Sequence, residues 1–579
     1  MLDNNLAIAT ASTLLRTLRA FGLQHLVASP GSRNTPLLYA ADALGIRVWS
    51  VIDERSAGFV ALGAARTTGQ AVAVACTSGS AAAHYLPAVV EASQSRIPLL
   101  VITADRPDEL RHTGAAQTID QVGMFDSFVR WSISTGTPQP TVSWMHHLAG
   151  TAARAMGAVV DGPVHINVPL AEPLGLLGAG AIPVPQHLPE PAAPPRVEVD
   201  ADTFWPLLGP RPLVIAGDGA GGPELTRLGA SVPVFADPLT IDRRPPLLLR
   251  GNLMTRLGRL DDTPPTGVLR LGGVPTSKAL MEWLAPHRDI PQVLVDPVGR
   301  RDPSASVRVH ITATPEDAIA GVDAESIDPE WVGGWRGHEA GIDAALADLP
   351  FPSEPALAAH VTRHLAGRDL WVGSSMPIRD IDDFGSPIEG RIHGTRGANG
   401  IDGLISAATG ATALTGEPVV ALLGDIAYLH DIGGLLTAKR LDADVTIFVI
   451  NNGGGGIFSF LPQADQPGPF ELISTPHDHD LATITWGMGI KHVVIESPGD
   501  LEATLLRHDG IRVAEIRTDR DANRALHETL LARLRGSNDP LPASTLPEVT
   551  EDRPELPGRL VELGEGSRCG HDATAGEEA

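Results

Sequence analysis

Two apolar runs in this chain end on groups that bind hard cations and anions. VVALLGD (419–425) closes on Gly424 and Asp425 and is followed by Ile426; VTIFVINN (445–452) closes on Asn451 and Asn452 and is followed by Gly453 and Gly454. Apolar runs of this kind are the buried strands of a parallel sheet. Such sheets gather ligands at the carboxyl edges of their strands. Two strand ends there would present one carboxylate, two carboxamides and a glycine-rich backbone that can approach a ligand closely. All are oxygen donors suited to Mg²⁺, which takes few protein ligands and fills its octahedron with phosphate oxygens and water. The same residues also serve as helix caps in ordinary βα turns, so the pattern alone leaves both readings open.

A further carboxylate, Glu54, stands in VIDERSAGF, where a strand pattern gives way to a helix pattern. The helix macrodipole favours an acid there whether or not it does chemistry. The turn Ser29-Pro30-Gly31-Ser32-Arg33-Asn34 carries hydroxyls and a guanidinium. Turn propensity accounts for Ser, Pro, Gly and Asn. It does not account for Arg33, a poor turn former and a good bidentate partner for a carboxylate. Two other strings look chemical and read as structure. Gly217-Asp218-Gly219-Ala220-Gly221-Gly222 fits a dinucleotide fingerprint, but the acid expected about 20 residues on is not clear. His477-Asp478-His479-Asp480, after Pro476, is expected to be a solvated loop rather than a metal cluster.

Alternating strand and helix patterns supply the frame for these groups. Residues 1–181 run through HLVASP, VWSVID, AVAVACTSG and PLLVITAD, separated by helical stretches such as RSAGFVALGAARTTG. That alternation implies a parallel α/β sheet covered on both faces. The proline-rich IPVPQHLPEPAAPPR (182–196) is expected to be a linker. A second α/β block, 197–325, holds PLVIAG, VPVFAD, GVLRLGG and PQVLVDP. The breaker cluster LPFPSEP opens a third, 356–536, with LWVGSS, RIHGTRG, the two runs above, GIKHVVI and GIRVAEIRT. Residues 537–579, rich in Pro, Gly, Glu and Ser, are expected to form a disordered, non-catalytic tail.

Composition narrows the function class. At 579 residues the chain is several domains long, since single cores rarely exceed about 250–300 residues. No stretch approaches the roughly 20 apolar residues of a membrane span. The N-terminal stretch reads as an amphipathic helix rather than a targeting signal, so a cytoplasmic location is expected. A net charge of −25 argues against nucleic acid or an anionic membrane as partner. Cys76 and Cys569 are the only cysteines, which excludes a disulfide framework. Arginine replaces lysine almost throughout, leaving Lys278, Lys439 and Lys491; a salt-rich cytoplasm and a GC-rich genome explain this bias equally.

Three successive α/β blocks are the layout of the thiamine diphosphate (ThDP) decarboxylase-like family. The resemblance assigns a pyrimidine-binding (PYR) domain to 1–181, a central domain to 197–325 and a diphosphate-binding (PP) domain to 356–536. Gly424-Asp425-Ile426 and Asn451-Asn452 resemble that family's GDG…NN anchor. SPGSRN, TADRP (103–107), GAAQTID (114–120), GSSMPIRD (373–380), TRGANGIDG (395–403) and GGGIFSFLP (454–462) resemble one branch closely. That branch is the 2-succinyl-5-enolpyruvyl-6-hydroxy-3-cyclohexene-1-carboxylate (SEPHCHC) synthases of menaquinone biosynthesis. Ile426 departs from the third glycine of GDG, and this branch tolerates an apolar residue there.

The resemblance implies a transferase that decarboxylates 2-oxoglutarate and adds the succinyl unit to isochorismate by 1,4-addition. It implies ThDP with Mg²⁺ or Mn²⁺, the metal held by Asp425, Asn452 and the main-chain carbonyl of Gly454. Glu54 would bond N1′ of the aminopyrimidine, and Ile401 would hold the cofactor bent. Gly424, Ile426, Ile457 and Phe458 would complete the cofactor contacts, with Leu461 on the apolar side. Arg33, Arg106, Arg379 and Arg396, with Ser32, Gln117 and Ser375, form a set suited to polycarboxylate substrates, although each Arg alone also reads as a surface ion-pair residue. Lys278 matches a substrate-facing basic position, but Ala279 stands where some relatives carry a second cation. The family's assemblies imply a homodimer or homotetramer with sites at the subunit interface. Acetohydroxyacid synthase, a 2-oxoacid decarboxylase or a non-catalytic ThDP-fold subunit are the alternatives.

Overall fold

The computed structural model describes residues 5–175, 197–324, 326–466, 468–537 and 541. The expected linker at 182–196, nearly all of the expected tail, and Cys569 lie outside the described residues. Three parallel sheets follow one another along the chain. The first contains β1 (His25–Ala28), β2 (Arg47–Ser50), β3 (Val72–Cys76), β4 (Leu99–Asp105), β5 (Trp131–Ser134) and β6 (Val164–Pro169), in the order β2-β1-β3-β4-β6-β5. The second contains β7 (Pro212–Ala216), β8 (Val234–Ala236), β9 (Gly267–Leu271), β10 (Gln292–Val295) and β11 (Val309–Ile311), ordered β11-β10-β9-β7-β8. The third contains β12 (Asp369–Val372), β13 (Ile392–Gly394), β14 (Val419–Gly424), β15 (Val445–Asn451), β16 (Lys491–Val494) and β17 (Arg512–Arg517), ordered β13-β12-β14-β15-β17-β16.

Burial explains the apolar runs. VAVAC of β3 and LLVITAD of β4 are buried at every residue, as central strands with both faces covered must be. The edge strands β2 and β16 expose two and three of their four residues. Three strands escaped the pattern reading: β5, β6 and β11. In β6 the polar His165 and Asn167 interrupt an otherwise apolar run, and both are buried in a network with Thr103 at 2.8 Å. The half-buried β5 and the three-residue β11 lie at sheet edges, where apolar patterning is weakest.

The first and third sheets are locked together by equivalent helices. Glu54–Thr68 follows β2 and Leu404–Thr415 follows β13, and their backbones meet without side chains between them. A Cβ placed on Gly63 would lie 2.0 Å from the Ala407 carbonyl oxygen, and one on Gly410 would lie 1.9 Å from that of Val60. Only glycine permits such an approach. Among the described residues no helix is long and apolar enough to cross a membrane.

Candidate active site

Strands β14 and β15 are adjacent and in register, Gly424 opposite Ile450, so Asp425 and Asn452 emerge from neighbouring strand ends. Asp425 is buried as the first residue of a short helix, Asp425–His430. Its Oδ1 accepts the Ile426 amide at 2.7 Å and its Oδ2 the Gly454 amide at 2.9 Å. Gly454 adopts φ +145°, and a Cβ there would meet the Ser474 carbonyl oxygen at 2.6 Å, so the loop needs glycine. Asn451 turns away to donate to Glu515 at 2.7 Å. Asn452 donates from Nδ2 to Glu354 at 3.0 Å, which leaves its Oδ1 buried without a partner among the described residues. An orphaned buried acceptor costs free energy unless a ligand satisfies it. Together with the Asp425 carboxylate it fits a hard divalent cation.

Two residues here were not foreseen from the sequence. Glu354 begins the Glu354–Arg363 helix and is fully buried; burial, with the charge of Asp380, pushes its carboxyl up to about 7 despite the Asn452 bond. His477 corrects the expectation of a wholly solvated loop. Its amide bonds back to the Gly453 carbonyl at 3.2 Å, and its side chain is 7% exposed with Nε2 3.2 Å from Asp425. That carboxylate raises the His477 pKa against the opposing effect of burial. Asp478, His479 and Asp480 are exposed.

At the ends of β12 and β13, two guanidinium groups converge on one carbonyl. Arg379 donates to the Ser374 and Ser375 oxygens at 3.0 and 2.6 Å, and Arg396 to the Ser374 oxygen at 3.2 Å. Burial and the neighbouring Arg396 lower the Arg379 pKa. Among the described residues neither group has a carboxylate within ion-pair distance. Ile401, Ile457 and Phe458 are half-buried, and Leu461 is exposed. Ile457 and Phe458 lie in a 3₁₀ turn, Gly456–Phe460.

Glu91 was missed altogether. Fully buried on the Leu86–Ser95 helix, it accepts the amides of Gly397 at 3.0 Å and of Ala398 and Asn399 at 2.7 and 2.9 Å. The helix of the first domain thus clamps the loop that carries Arg396. Its signal in the sequence was an acid on the apolar face of VVEASQS, which periodicity can flag but cannot pair.

In the first sheet Glu54 is half-buried at the start of its helix, capped by Asp53, and has no hydrogen-bond or ion-pair partner among the described residues. Arg33 is buried, donating to the Leu170 carbonyl at 2.8 Å and lying 3.5 Å from Glu172. Burial and Arg106 lower its pKa. The Nε of Arg106 is buried without a hydrogen-bond partner among the described residues. Gln117, at φ +57°, bonds the Ser78 carbonyl at 3.3 Å, while Ser32 is exposed. Lys278 is not brought to this group: it begins a helix of the central domain, is 82% exposed and pairs with Glu282 at 3.2 Å. The glycine-rich 217–222 loop packs against Gly273, and Asp218 pairs with Arg66 at 2.9 Å.

Comparison with known proteins assigns the family. Residues 8–124 match the thiamine pyrophosphate enzyme N-terminal TPP binding domain, and residues 388–516 match the C-terminal TPP binding domain. The chain is 39% identical to a 2-succinyl-5-enolpyruvyl-6-hydroxy-3-cyclohexene-1-carboxylate synthase of Chloroflexus aurantiacus, over 90% of this chain and 95% of that one. Synthases of the same name from Geobacillus thermodenitrificans and Halobacterium salinarum are 38% and 36% identical, over 89% and 91% of this chain and 94% and 98% of theirs. The chain belongs to the 2-succinyl-5-enolpyruvyl-6-hydroxy-3-cyclohexene-1-carboxylate synthase family of thiamine diphosphate enzymes.

Proposed function

We propose that this enzyme decarboxylates 2-oxoglutarate and adds the resulting succinyl unit to isochorismate, releasing CO₂ and forming SEPHCHC. The observation that carries the reading is the pair Arg379 and Arg396. Among the described residues these two guanidinium groups lack carboxylate partners, and they stand on the same sheet edge as the Asp425 and Asn452 oxygens. Asp425, Asn452 and the carbonyl of Gly454 would hold Mg²⁺ or Mn²⁺, and Gly424, Ile426, Ile457 and Phe458 would contact ThDP. Bound ThDP supplies the electron sink that loss of CO₂ from a 2-oxoacid requires.

The protein's own part is placement. Glu54 would hold the aminopyrimidine in its reactive tautomer, with Ile401 supporting the cofactor from its apolar side. Arg379 and Ser375 would take the distal carboxylate of 2-oxoglutarate, with Arg396 adjoining. Arg33, Arg106, Ser32 and Gln117 would take the carboxylates of isochorismate. Arginine stays protonated, so these groups stabilise carboxylates without exchanging protons. We place the site between two chains of a cytoplasmic homodimer or homotetramer, the first sheet of one facing the third sheet of the other.

The test is CO₂ release from 2-oxoglutarate with and without isochorismate, with the coupled product identified by mass. Coupled product from 2-oxoglutarate and little from pyruvate is the expected result. Equal use of pyruvate would replace this reading with a decarboxylase or an acetohydroxyacid synthase.

A further inference from the structure

A second cluster of ligand atoms lies on the outer side of the third domain. His360 and His364 stand one helical turn apart at the end of the Glu354–Arg363 helix, and Glu502 faces them from the Pro498–Leu505 helix. One ligand atom from each lies within 4.8 Å of the other two. The imidazole rings are stacked, 5.9 Å apart and 11° from parallel, and Phe351 packs its edge on His360 at 5.6 Å. These contacts fix the rings without using all of their nitrogens.

The nitrogens are distributed as a metal site requires. His364 Nδ1 lies 2.9 Å from the His360 carbonyl oxygen, which fixes that nitrogen as the protonated one. Its Nε2 lone pair therefore points outward, 3.3 Å from Glu502 Oε1. Metal-bound histidines are oriented in this way, by a bond from the second ring nitrogen to a carbonyl. Among the described residues His360 Nδ1 is buried with no hydrogen-bond partner, so that ring also has an unspent nitrogen.

We propose that His360, His364 and Glu502 form a site for a borderline divalent cation such as Zn²⁺. Two imidazoles and one carboxylate suit zinc rather than magnesium, which prefers oxygen alone. Zinc–ligand bonds of about 2.0–2.1 Å place tetrahedral ligand atoms roughly 3.3 Å apart, a contraction that a rotamer change in the exposed Glu502 and small tilts of the two rings can supply. A fourth position stays open to water. The site is separate from the Asp425 donors: it lies about 9 Å along the helix from Glu354, the residue that grips Asn452. Occupancy would tie the Glu354–Arg363 helix to the Pro498–Leu505 helix and stabilise the fold by mass action.

The experiment is calorimetric titration of Zn²⁺ into chelator-treated full-length protein, with excess Mg²⁺ present to occupy oxygen-donor sites. Wild type is expected to bind one equivalent, and its melting temperature to rise with added zinc. His364→Ala and Glu502→Gln should each weaken binding by roughly tenfold or more. Both residues are partly exposed, so their variants should melt normally without metal. Asp425→Ala should keep its zinc affinity. The proposal is overturned if wild type binds no zinc under Mg²⁺, if His364→Ala binds as tightly as wild type, or if Asp425→Ala abolishes binding.

Discussion

The first and third sheets repeat one strand order, second-first-third-fourth-sixth-fifth, each counted from its own first strand. Their central strands are chemically interchangeable: VAVAC and VVALL are both buried at every residue. Their carboxyl ends are not. The first sheet ends on Glu54, Arg33, Arg106 and Gln117, with Glu54 unpartnered among the described residues. The third ends on Asp425, Asn452 and a glycine loop, flanked by Arg379 and Arg396. Burial sets the frame and is indifferent to function; the residues just past each strand set what is bound. The acids differ in reach as well. Asp425 and Glu354 organise loops of their own domain and Asp431 the first turn of the Leu404–Thr415 helix, whereas Glu91 of the first domain holds a loop of the third.

If the third sheet anchors the cofactor, the largest effect belongs to Asp425→Ala. It should abolish Mg²⁺-dependent ThDP binding in calorimetry, because the cation loses its buried carboxylate. Retained metal-dependent binding would move the diphosphate site elsewhere. Next is Arg379→Ala, which should erase most of a preference for 2-oxoglutarate over pyruvate of roughly 10³, about 4 kcal/mol, in steady-state kcat/KM. An unchanged preference would remove Arg379 from the donor site.

Glu91→Gln sharpens the comparison across the two domains. A carboxamide offers one acceptor oxygen to three amides, so the Arg396 loop should loosen. The KM for 2-oxoglutarate should then rise roughly tenfold, with kcat less affected. A variant that melts earlier at unchanged KM would make Glu91 structural only.

The smallest effect is a slope. Burial raises the Asp431 carboxyl to about 6, against bonds from Ser406 that favour its charge. The folded state therefore holds that proton more tightly than the unfolded chain does. Its contribution is fully present below the unfolded value near 3.8 and is lost as pH rises through about 6. Asp431→Asn should flatten the fall in stability over that window, by at most about 1.4 kcal/mol per pH unit. An unchanged slope would assign it to other groups.

Much of this was legible before folding because it is local. Strand ends, caps and the Gly424–Gly454 groups follow from runs of a few residues, and the domain order follows from alternation. What stayed hidden depends on distant partners. Glu91 meets amides roughly 300 residues away. Glu354 finds Asn452 only after the Glu354–Arg363 helix is docked, and His477 is buried by the fold of the glycine loop. Strand β6 escaped because its polar residues are satisfied by Thr103 of the neighbouring strand, and no hydrophobic pattern reports that.

The division of labour between the two sheets is tested most directly on Glu54→Gln, by measuring ThDP binding and turnover on the same preparation. ThDP affinity is expected within a few-fold of wild type, with turnover lower by roughly a hundredfold or more. Near-normal turnover, or a loss of binding as complete as that expected of Asp425→Ala, would contradict it.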